Sequence, residues 1–102
     1  MAKRKLQRFA ENETFKHFFQ PGWEELSAGF SLRGNWNARF FANNNPVIIE
    51  MGCGKGEYTV DLSSKYPERN FIAIDKKGAR MWRGAKTSSE DSRENVAFVR
   101  IR

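Results

Sequence analysis

A chain of 102 residues has room for one small domain, and its Lys and Arg residues outnumber Asp and Glu by 18 to 12, a formal charge of +6. This charge favours anionic partners such as nucleic acid or an acidic membrane surface, although a basic soluble protein without such a partner agrees with it equally well. An aromatic content of 14% excludes a disordered tail.

Membrane and secretory signals are missing from the pattern. No apolar run approaches the roughly 18 residues of a membrane span, and no apolar signal core follows the basic start. Cys53 is the only cysteine, which excludes an intrachain disulfide and agrees with a reducing compartment. We therefore expect a cytoplasmic protein without a membrane partner.

The first element in the chain is a basic arm. Cationic side chains of this kind bind phosphates with high affinity in aggregate but without sequence specificity. The alternative is a solvated, poorly ordered terminus. The residues of the arm that we consider for RNA binding are Lys3, Arg4, Lys5 and Arg8.

Aromatic residues follow the arm. Phe15, Phe18 and Phe19 have the i, i+3, i+4 spacing of a helical turn, which Pro21-Gly22 would end. His17 lies between them, with no second histidine in the chain and no nearby cysteine. We therefore expect His17 on the surface and predict no metal site.

A second aromatic group precedes an Asn-rich turn that ends at Pro46. Trp36, Phe40 and Phe41 are predicted to pack on a sheet as an N-terminal cover, because large aromatic side chains are usually buried. The alternative is a platform on which nucleic acid bases stack.

The most informative stretch is an apolar run that ends in an acid and three alternating glycines. The run Val47–Ile49 predicts a strand that is buried on both faces. Glu50 ends it, and Gly52, Gly54 and Gly56 follow. Glycine tolerates positive φ and allows a ligand to approach the backbone closely. We predict a ligand cradle at the carboxyl end of this strand.

A helix and a second strand come next. Tyr58, Leu62 and Tyr66 recur at spacing four, which predicts one face of a helix that closes before Pro67. Asn70–Asp75 is a second apolar strand, and it also ends in an acid.

A second helix is predicted over residues 78–89, followed by a polar loop within residues 87–95 and a third strand from Val96 to Arg102. The side chains of this helix that we expect to face inward are Ala79, Trp82 and Ala85. The opposite side carries a basic stripe, which is either a solvated face or a second strip of phosphate contacts. The stripe consists of Lys76, Arg80 and Arg83.

The resulting β-α-β-α-β pattern predicts an α/β fold with a parallel sheet in the order third, second, first strand. We divide the chain into a basic arm and cover segment (1–45) and a sheet domain (46–102). The strand before the glycines lies at an open edge in this order, although its apolar sequence expects neighbours on both sides. We infer that the chain is the first half of a larger domain or that another chain covers this edge.

Several nucleotide motifs do not fit the glycine turn. A P-loop requires glycine and Ser or Thr where this chain has Ile49 and Gly56. The dinucleotide fingerprint requires a glycine at its sixth place, which Glu57 occupies. An NAD site is therefore disfavoured.

The two strand-end acids indicate a different ligand. Asp75 follows Glu50 by 75 − 50 = 25 residues, and adjacent parallel strands bring both carboxylates to one rim. A carboxylate there can accept two hydrogen bonds from a ribose diol. Glu50 would repel a pyrophosphate but attract a sulfonium or ammonium group, so S-adenosylmethionine is the predicted cofactor. Alternatively, Glu50 does not contact a ligand and only holds the turn by accepting hydrogen bonds from backbone N–H groups.

At these residues the chain resembles class I S-adenosylmethionine-dependent methyltransferases, and more closely the bacterial tRNA (guanine-N(7)-)-methyltransferases. The resemblance covers nearly the whole chain, and the KGARMW segment narrows it to this family. The segments that carry it are residues 8–15 (RFAENETF), 34–36 (GNW), 45–57 (NPVIIEMGCGKGE), 70–86 (NFIAIDKKGARMWRGAK) and 95–100 (NVAFVR).

The resemblance implies a Rossmann-like fold and methyl transfer to N7 of a guanine in tRNA. It implies that Glu50 and the glycine turn contact the methionyl end of the cofactor, and that Asp75 contacts the ribose. The family's later acidic, Pro-rich and basic segments have no counterpart here, so we assign no catalytic residue and expect no activity from this chain alone. The alternative is a non-catalytic module that binds RNA with a truncated methyltransferase fold.

Overall fold

The computed structural model describes residues 2–22, 24–25, 29, 32 and 34–101, and within these ranges it contains a parallel sheet of four strands. The predicted α/β class is confirmed, and so is the order of the three predicted strands. In spatial order the strands are β1 (Phe18–Phe19), β4 (Val96–Arg100), β3 (Asn70–Asp75) and β2 (Val47–Met51).

Helices connect the strands and cover one face of the sheet. α2 (Glu57–Lys65) joins β2 to β3, and α3 (Gly78–Glu90) joins β3 to β4. The basic arm forms a helix, α1 (Ala2–Asn12), which packs on α3, so a poorly ordered terminus is the wrong description of it. No helix in the described part of the chain is long and apolar enough to cross a membrane.

The sheet has a core on each face because successive side chains of a strand point to opposite sides. On the helical face, Phe71 of β3 and Phe98 of β4 pack with Met81 of α3. On the other face, Ile72 and Val99 pack beneath an aromatic cover.

That aromatic cover is a six-residue π-helical segment, Trp36–Phe41. Phe41 is buried, and Trp36 and Phe40 pack on Ile72 and Val99, so the prediction that these rings cover the sheet is confirmed. Within the segment, the ring centres of Phe40 and Phe41 are 4.9 Å apart, edge to face. These rings are therefore engaged in packing on the sheet, which favours the cover over the base-stacking alternative.

The first strand is the main departure from the predicted elements. The helical turn predicted for Phe15, Phe18 and Phe19 is wrong, because Phe18 and Phe19 pair with Phe98 and Val99 of β4. Without this pairing, β4 would have an open edge.

The prediction that His17 lies on the surface is also wrong. Its side chain is only 8% exposed, and a ring nitrogen lies 2.7 Å from Oγ of Ser88. The backbone carbonyl of His17 accepts a 2.7 Å hydrogen bond from the N–H of Phe98. His17 is therefore held beside β4 at the point where β1 begins to pair with it. Ser88 is buried in turn, and α3 continues to Glu90, so Thr87–Glu90 belongs to the helix and not to the predicted loop.

The buried His17 gives stability a defined pH dependence. Burial lowers the pKa of His17, so the unfolded chain binds a proton at higher pH than the folded chain does. The contribution of the neutral His17 to folding stability is fully present above about pH 6.5, the ordinary histidine pKa. It is lost as the pH falls from there through the lower pKa of the folded state. We expect the Tm to fall more between about pH 7.5 and pH 5 in the parent chain than in His17→Gln, which keeps an N–H donor. Equal losses of Tm would contradict this explanation.

The buried faces of α2 and α3 differ from those predicted. Of the three residues predicted on one face of α2, Leu62 packs against the core but Tyr58 and Tyr66 are exposed. The residues of α2 that are buried are Thr59, Val60 and Ser63. In α3, Ala85 faces inward as predicted, but Ala79 and Trp82 are only half-buried. The fully buried residues of α3 are Gly78, Met81, Gly84, Ala85 and Ser88.

The edge strand β2 confirms the predicted strand order and shows its consequence. Its one neighbour in the described part of the chain is β3. The prediction that Val47–Ile49 is buried on both faces is wrong for this chain, because β2 lies at the sheet edge and Ile49 is 57% exposed and Met51 72% exposed. The edge of β2 that points away from β3 is thus apolar and uncovered in the described part of the chain.

Candidate ligand-binding site

The predicted acids share one rim of the sheet. β2 and β3 run parallel, with Glu50 beside Ala73 and Met51 beside Ile74. Glu50 and Asp75 therefore lie at the carboxyl ends of adjacent strands, and both are half-buried. This is the arrangement that the sequence predicts for a ligand rim.

The glycine turn curls back onto the end of β3. The N–H groups of Gly52 and Cys53 donate to the carbonyl of Ile74 at 2.7 and 3.1 Å. Gly52, Gly54 and Gly56 have φ values of +70°, +58° and +76°, which L side chains rarely adopt. The turn thus requires glycine for its conformation at all three positions.

The space around each glycine divides the three into two kinds. A Cβ built on Gly56 would lie 2.6 Å from the ring of Phe98, so this glycine is needed for core packing. Among the described residues, a Cβ on Gly52 would meet nothing within 4 Å, and one on Gly54 would meet only Nη2 of Arg80, at 3.7 Å. The surface over Gly52 and Gly54 is therefore bare backbone that the protein does not fill.

Asp75 holds the glycine turn to β3. Its Oδ2 accepts a 2.8 Å hydrogen bond from the N–H of Gly54, and its Oδ1 accepts from the N–H groups of Lys76 and Lys77 at 2.6 and 3.3 Å. Burial opposes ionisation, but these three bonds and the charge of Arg80 lower the pKa of Asp75 below its usual value. Asp75 is thus a fixed carboxylate at neutral pH.

Glu50 has a partner that sequence reasoning missed. The hydroxyl of Thr59, which is 2% exposed, donates to Oε1 of Glu50. Thr59 stands in the first turn of α2, where a polar residue on a buried helix face is the signal that could have identified it. The alternative in which Glu50 merely caps the turn through backbone N–H groups receives no support from these contacts.

Cys53 lies within the turn but is poorly suited to act as a nucleophile. Burial, and then the nearby carboxylates Asp75 and Glu50, raise the pKa of its thiol to about 12. The thiol is therefore protonated at neutral pH, and the site offers no thiolate.

A glycine in the middle of α3 also shapes the site. The N–H of Gly84 donates to the carbonyl of Lys55 at 2.8 Å, and a Cβ on Gly84 would lie 2.6 Å from that carbonyl oxygen. The glycine turn and α3 thus approach each other through bare backbone on both sides. An isolated glycine within a helical pattern was the available signal for this contact.

The structure brings only some of the predicted RNA-binding residues together: Lys5 and Arg80 line one pocket, but the other described candidates lie elsewhere. Arg4 and Lys5 are exposed on α1, whereas the guanidinium groups of Arg8 and Arg83 lie 4.5 and 4.9 Å from the centre of the Trp82 ring. Arg8 therefore contributes to the packing of α1 on α3, whereas the contacts of Arg83 with Trp82 and Thr87 lie within α3.

Two further candidates lie apart from this packing. Arg80 is exposed near the glycine turn. The side chain of Lys3 lies outside the part of the chain that the structure describes.

The packing of α1 on α3 also uses Glu11. Nε1 of Trp82 donates to Oε1 of Glu11 at 2.8 Å, and Nζ of Lys86 donates to Oε2. The bonds from Lys86 and Trp82 lower the pKa of Glu11. Glu11 thus ties α1 to α3 through Trp82 and Lys86.

A parallel α/β sheet with a glycine turn and two strand-end carboxylates is typical of proteins that bind nucleotide-like ligands, and comparison with known proteins narrows the class of protein. Residues 44–101 match the model of a family described as "Putative methyltransferase". The match covers more than half of the chain, so the chain belongs to this methyltransferase family. Membership in such a family implies a methyl donor.

Individual relatives are more specific. The chain is 56% identical over 100 residues to a tRNA (guanine-N(7)-)-methyltransferase of Christiangramia forsetii, which covers 97% of this chain and 45% of that protein. It is 53% identical over 91 residues to the enzyme of the same name from Porphyromonas gingivalis, covering 86% of this chain and 37% of the relative. The tRNA (guanine-N(7)-)-methyltransferase of Bacteroides fragilis is 46% identical, and the alignment covers 98% of this chain and 40% of that protein.

These alignments confirm the family resemblance that the sequence motifs indicate. They also show that the chain spans less than half the length of the curated relatives it matches.

Proposed function

We propose that this chain binds S-adenosylmethionine and forms the cofactor site of a cytoplasmic tRNA (guanine-N(7)-)-methyltransferase. The observation that carries the proposal is the open backbone surface at Gly52 and Gly54, beside the carboxylates of Glu50 and Asp75 on one rim. The names of the relatives support the tRNA substrate and the position of methylation.

The residues present fit this cofactor. The bare surface accepts a ligand that lies against the backbone, because a Cβ on Gly52 would meet nothing within 4 Å. Two carboxylates attract a sulfonium and an ammonium group and would repel a pyrophosphate. In this proposal Glu50 and the glycine turn hold the methionyl end, and Asp75 accepts hydrogen bonds from the ribose hydroxyls.

Asp75 can hold the turn and a ribose at the same time. Each carboxylate oxygen has two lone pairs: Oδ2 accepts from Gly54 alone and keeps one for a ribose hydroxyl, whereas Oδ1 accepts from both Lys76 and Lys77, the latter at 3.3 Å. The backbone bonds fix the orientation of the carboxylate before a ligand arrives. A ligand that binds to a preorganised acceptor loses less free energy to ordering.

The bound cofactor would supply an electrophilic methyl group on sulfur. The N7 atom of guanine already presents a lone pair, so the reaction needs no general base before attack. The contribution of this chain is therefore to hold and orient the donor. We name no catalytic residue among those described.

We further propose that additional polypeptide covers the apolar edge at β2 in the active enzyme. The exposed side chains of Ile49 and Met51 would then be buried, and the unpaired edge of the strand would gain hydrogen-bond partners. The chain spans less than half of its relatives, so they have sequence available for this purpose. The 102-residue chain alone is accordingly expected to bind cofactor without methylating tRNA.

Calorimetry on this chain tests the cofactor assignment. We expect binding of S-adenosylmethionine and S-adenosylhomocysteine but not of NAD, and loss of both in Gly54→Val, whose side chain would occupy the bare surface. Gly34→Val is the matched control, because Gly34 also has positive φ (+73°) and no described residue lies within 4 Å of a built Cβ. Binding of NAD alone, or normal binding by Gly54→Val, would refute the assignment.

A non-catalytic RNA-binding module is the second candidate, and the exposed cations Arg4 and Lys5 on α1 favour it. It predicts tRNA binding by a folded chain that binds neither S-adenosylmethionine nor S-adenosylhomocysteine. The same calorimetric titration, repeated with tRNA, therefore separates the two candidates.

A further inference from the structure

A pocket with an unusual charge lies at the same edge of the sheet as Asp75. It has a volume of about 330 Å³ and lies between α1, the start of α3 and the end of β4. Its lining contains five cationic side chains and no acidic one. The lining residues that define this cationic pocket are Lys5, Lys76, Lys77, Arg80 and Arg100, with Phe9 and Gly78 between them.

Packing fixes the walls of the cationic pocket. A Cβ on Gly78 would lie 2.9 Å from Cδ of Arg100, so the missing side chain at this position is what lets Arg100 approach. The guanidinium of Arg100 lies 5.1 Å from the centre of the Phe9 ring, and its Nε donates to the carbonyl of Lys76 at 3.2 Å. Asn12, fully buried, donates to the carbonyl of Gly78 and anchors α1 to this wall.

The nearest acid in the sequence offsets only part of the pocket's charge, through the interaction of Asp75 with Arg80. Asp75 directly precedes Lys76, but its oxygens accept hydrogen bonds from backbone N–H groups of the glycine turn and of Lys76 and Lys77. Cationic groups gathered around one small volume repel each other. A bound anion would remove this repulsion.

We propose that the cationic pocket binds a phosphate group of an RNA backbone. Arginine and lysine side chains from three elements converge on it, and guanidinium groups match the geometry of phosphate oxygens. A pocket without carboxylates does not suit a cationic nucleoside such as S-adenosylmethionine, so it is distinct from the cofactor site. The volume accommodates a phosphate and the adjoining sugar.

The pocket lies next to the proposed cofactor site, which favours the RNA substrate as its ligand. The assignment to RNA rests on the proposed function. Arg80 lines the pocket, and its Nη2 also lies 3.7 Å from a Cβ built on Gly54, so the pocket adjoins the glycine turn. A phosphate held there would lie beside the cofactor that the turn binds. Arg4, exposed on α1 next to Lys5, extends the positive charge outward for further phosphates.

The test measures tRNA binding by fluorescence anisotropy over a range of salt concentrations. The variant is Lys5→Gln/Lys77→Gln, and the matched control is Lys65→Gln/Arg69→Gln, which removes the same charge from exposed positions outside the pocket. For the pocket variant we expect affinity to fall roughly tenfold and the slope of log K against log salt to flatten by about one. The control should change by less than about twofold. Circular dichroism verifies the fold of both variants.

Two results would overturn the proposal. Equal losses of tRNA affinity in the pocket variant and the control would show that the overall charge, and not the pocket, determines binding. Loss of inorganic phosphate binding in the pocket variant with unchanged tRNA binding would assign the pocket to a small phosphorylated ligand instead.

Failure of the proposed function gives a different pattern of results. If the parent chain bound no S-adenosylmethionine while the pocket variant still lost tRNA selectively, the pocket assignment would stand and the cofactor assignment would fall.

Discussion

Gly56→Ala is expected to destabilise the fold by about 2–5 kcal/mol. The left-handed conformation contributes about 1–2 kcal/mol, since φ is +76° and alanine carries a Cβ. Overpacking contributes about 1–3 kcal/mol more, because that Cβ would lie 2.6 Å from the ring of Phe98 and 3.6 Å from the backbone of Gly84. This total is a large share of the stability of a small domain, about 5–15 kcal/mol. Urea denaturation followed by circular dichroism measures it.

Gly52→Ala is the control for this experiment, because it separates strain from packing. Gly52 has a similar φ, +70°, but a Cβ there would meet nothing within 4 Å. Its cost should therefore be limited to the conformational part, about 1–2 kcal/mol. Equal losses for the two variants would show that the contact with Phe98 does not constrain the turn.

Asp75→Ala is expected to weaken S-adenosylhomocysteine binding by about 1–3 kcal/mol, the usual cost of removing a charged hydrogen-bond partner. The variant loses the acceptor that is proposed for the ribose. It also releases the N–H groups of Gly54 and Lys76, which loosens the cradle. Calorimetry gives the affinity, and Asp61→Ala, at an exposed position on α2, is the matched control.

A third variant separates the two effects of Asp75. Asp75→Asn keeps one carbonyl acceptor for the turn but removes the negative charge and half of the acceptors available to a ribose diol. We expect it to retain more thermal stability than Asp75→Ala while still losing affinity. Unchanged affinity in both variants would remove Asp75 from the ligand site.

The elements that the sequence predicted correctly are those with a strong local signal. The run Val47–Ile49 and the strand Asn70–Asp75 are apolar over their whole length, and the helix at Gly78–Glu90 starts and stops near the predicted residues. Parallel connections between such elements allow few strand orders. The glycine turn was recognisable because three glycines at alternate positions after a strand have few other uses.

The errors fall where a distant part of the chain overrides a local preference. Phe18 and Phe19 would fit a helical turn, but the edge of β4, some 80 residues later, offers hydrogen bonds that a helix cannot use. His17 is polar and carries no local sign of burial, yet Ser88 supplies a partner inside the fold. Neither partner can be deduced from the residues around position 17.

The sequence by itself determined the class of fold, the order of three strands and the rim that bears Glu50 and Asp75. Periodicity, strand-end acids and glycines are local properties, and the parallel connection then dictates where strand ends meet. Only the tertiary structure decided which glycines serve packing and which leave open backbone. It alone gathered the charges of α1, α3 and β4 into one pocket, because such contacts depend on distances between residues far apart in the chain.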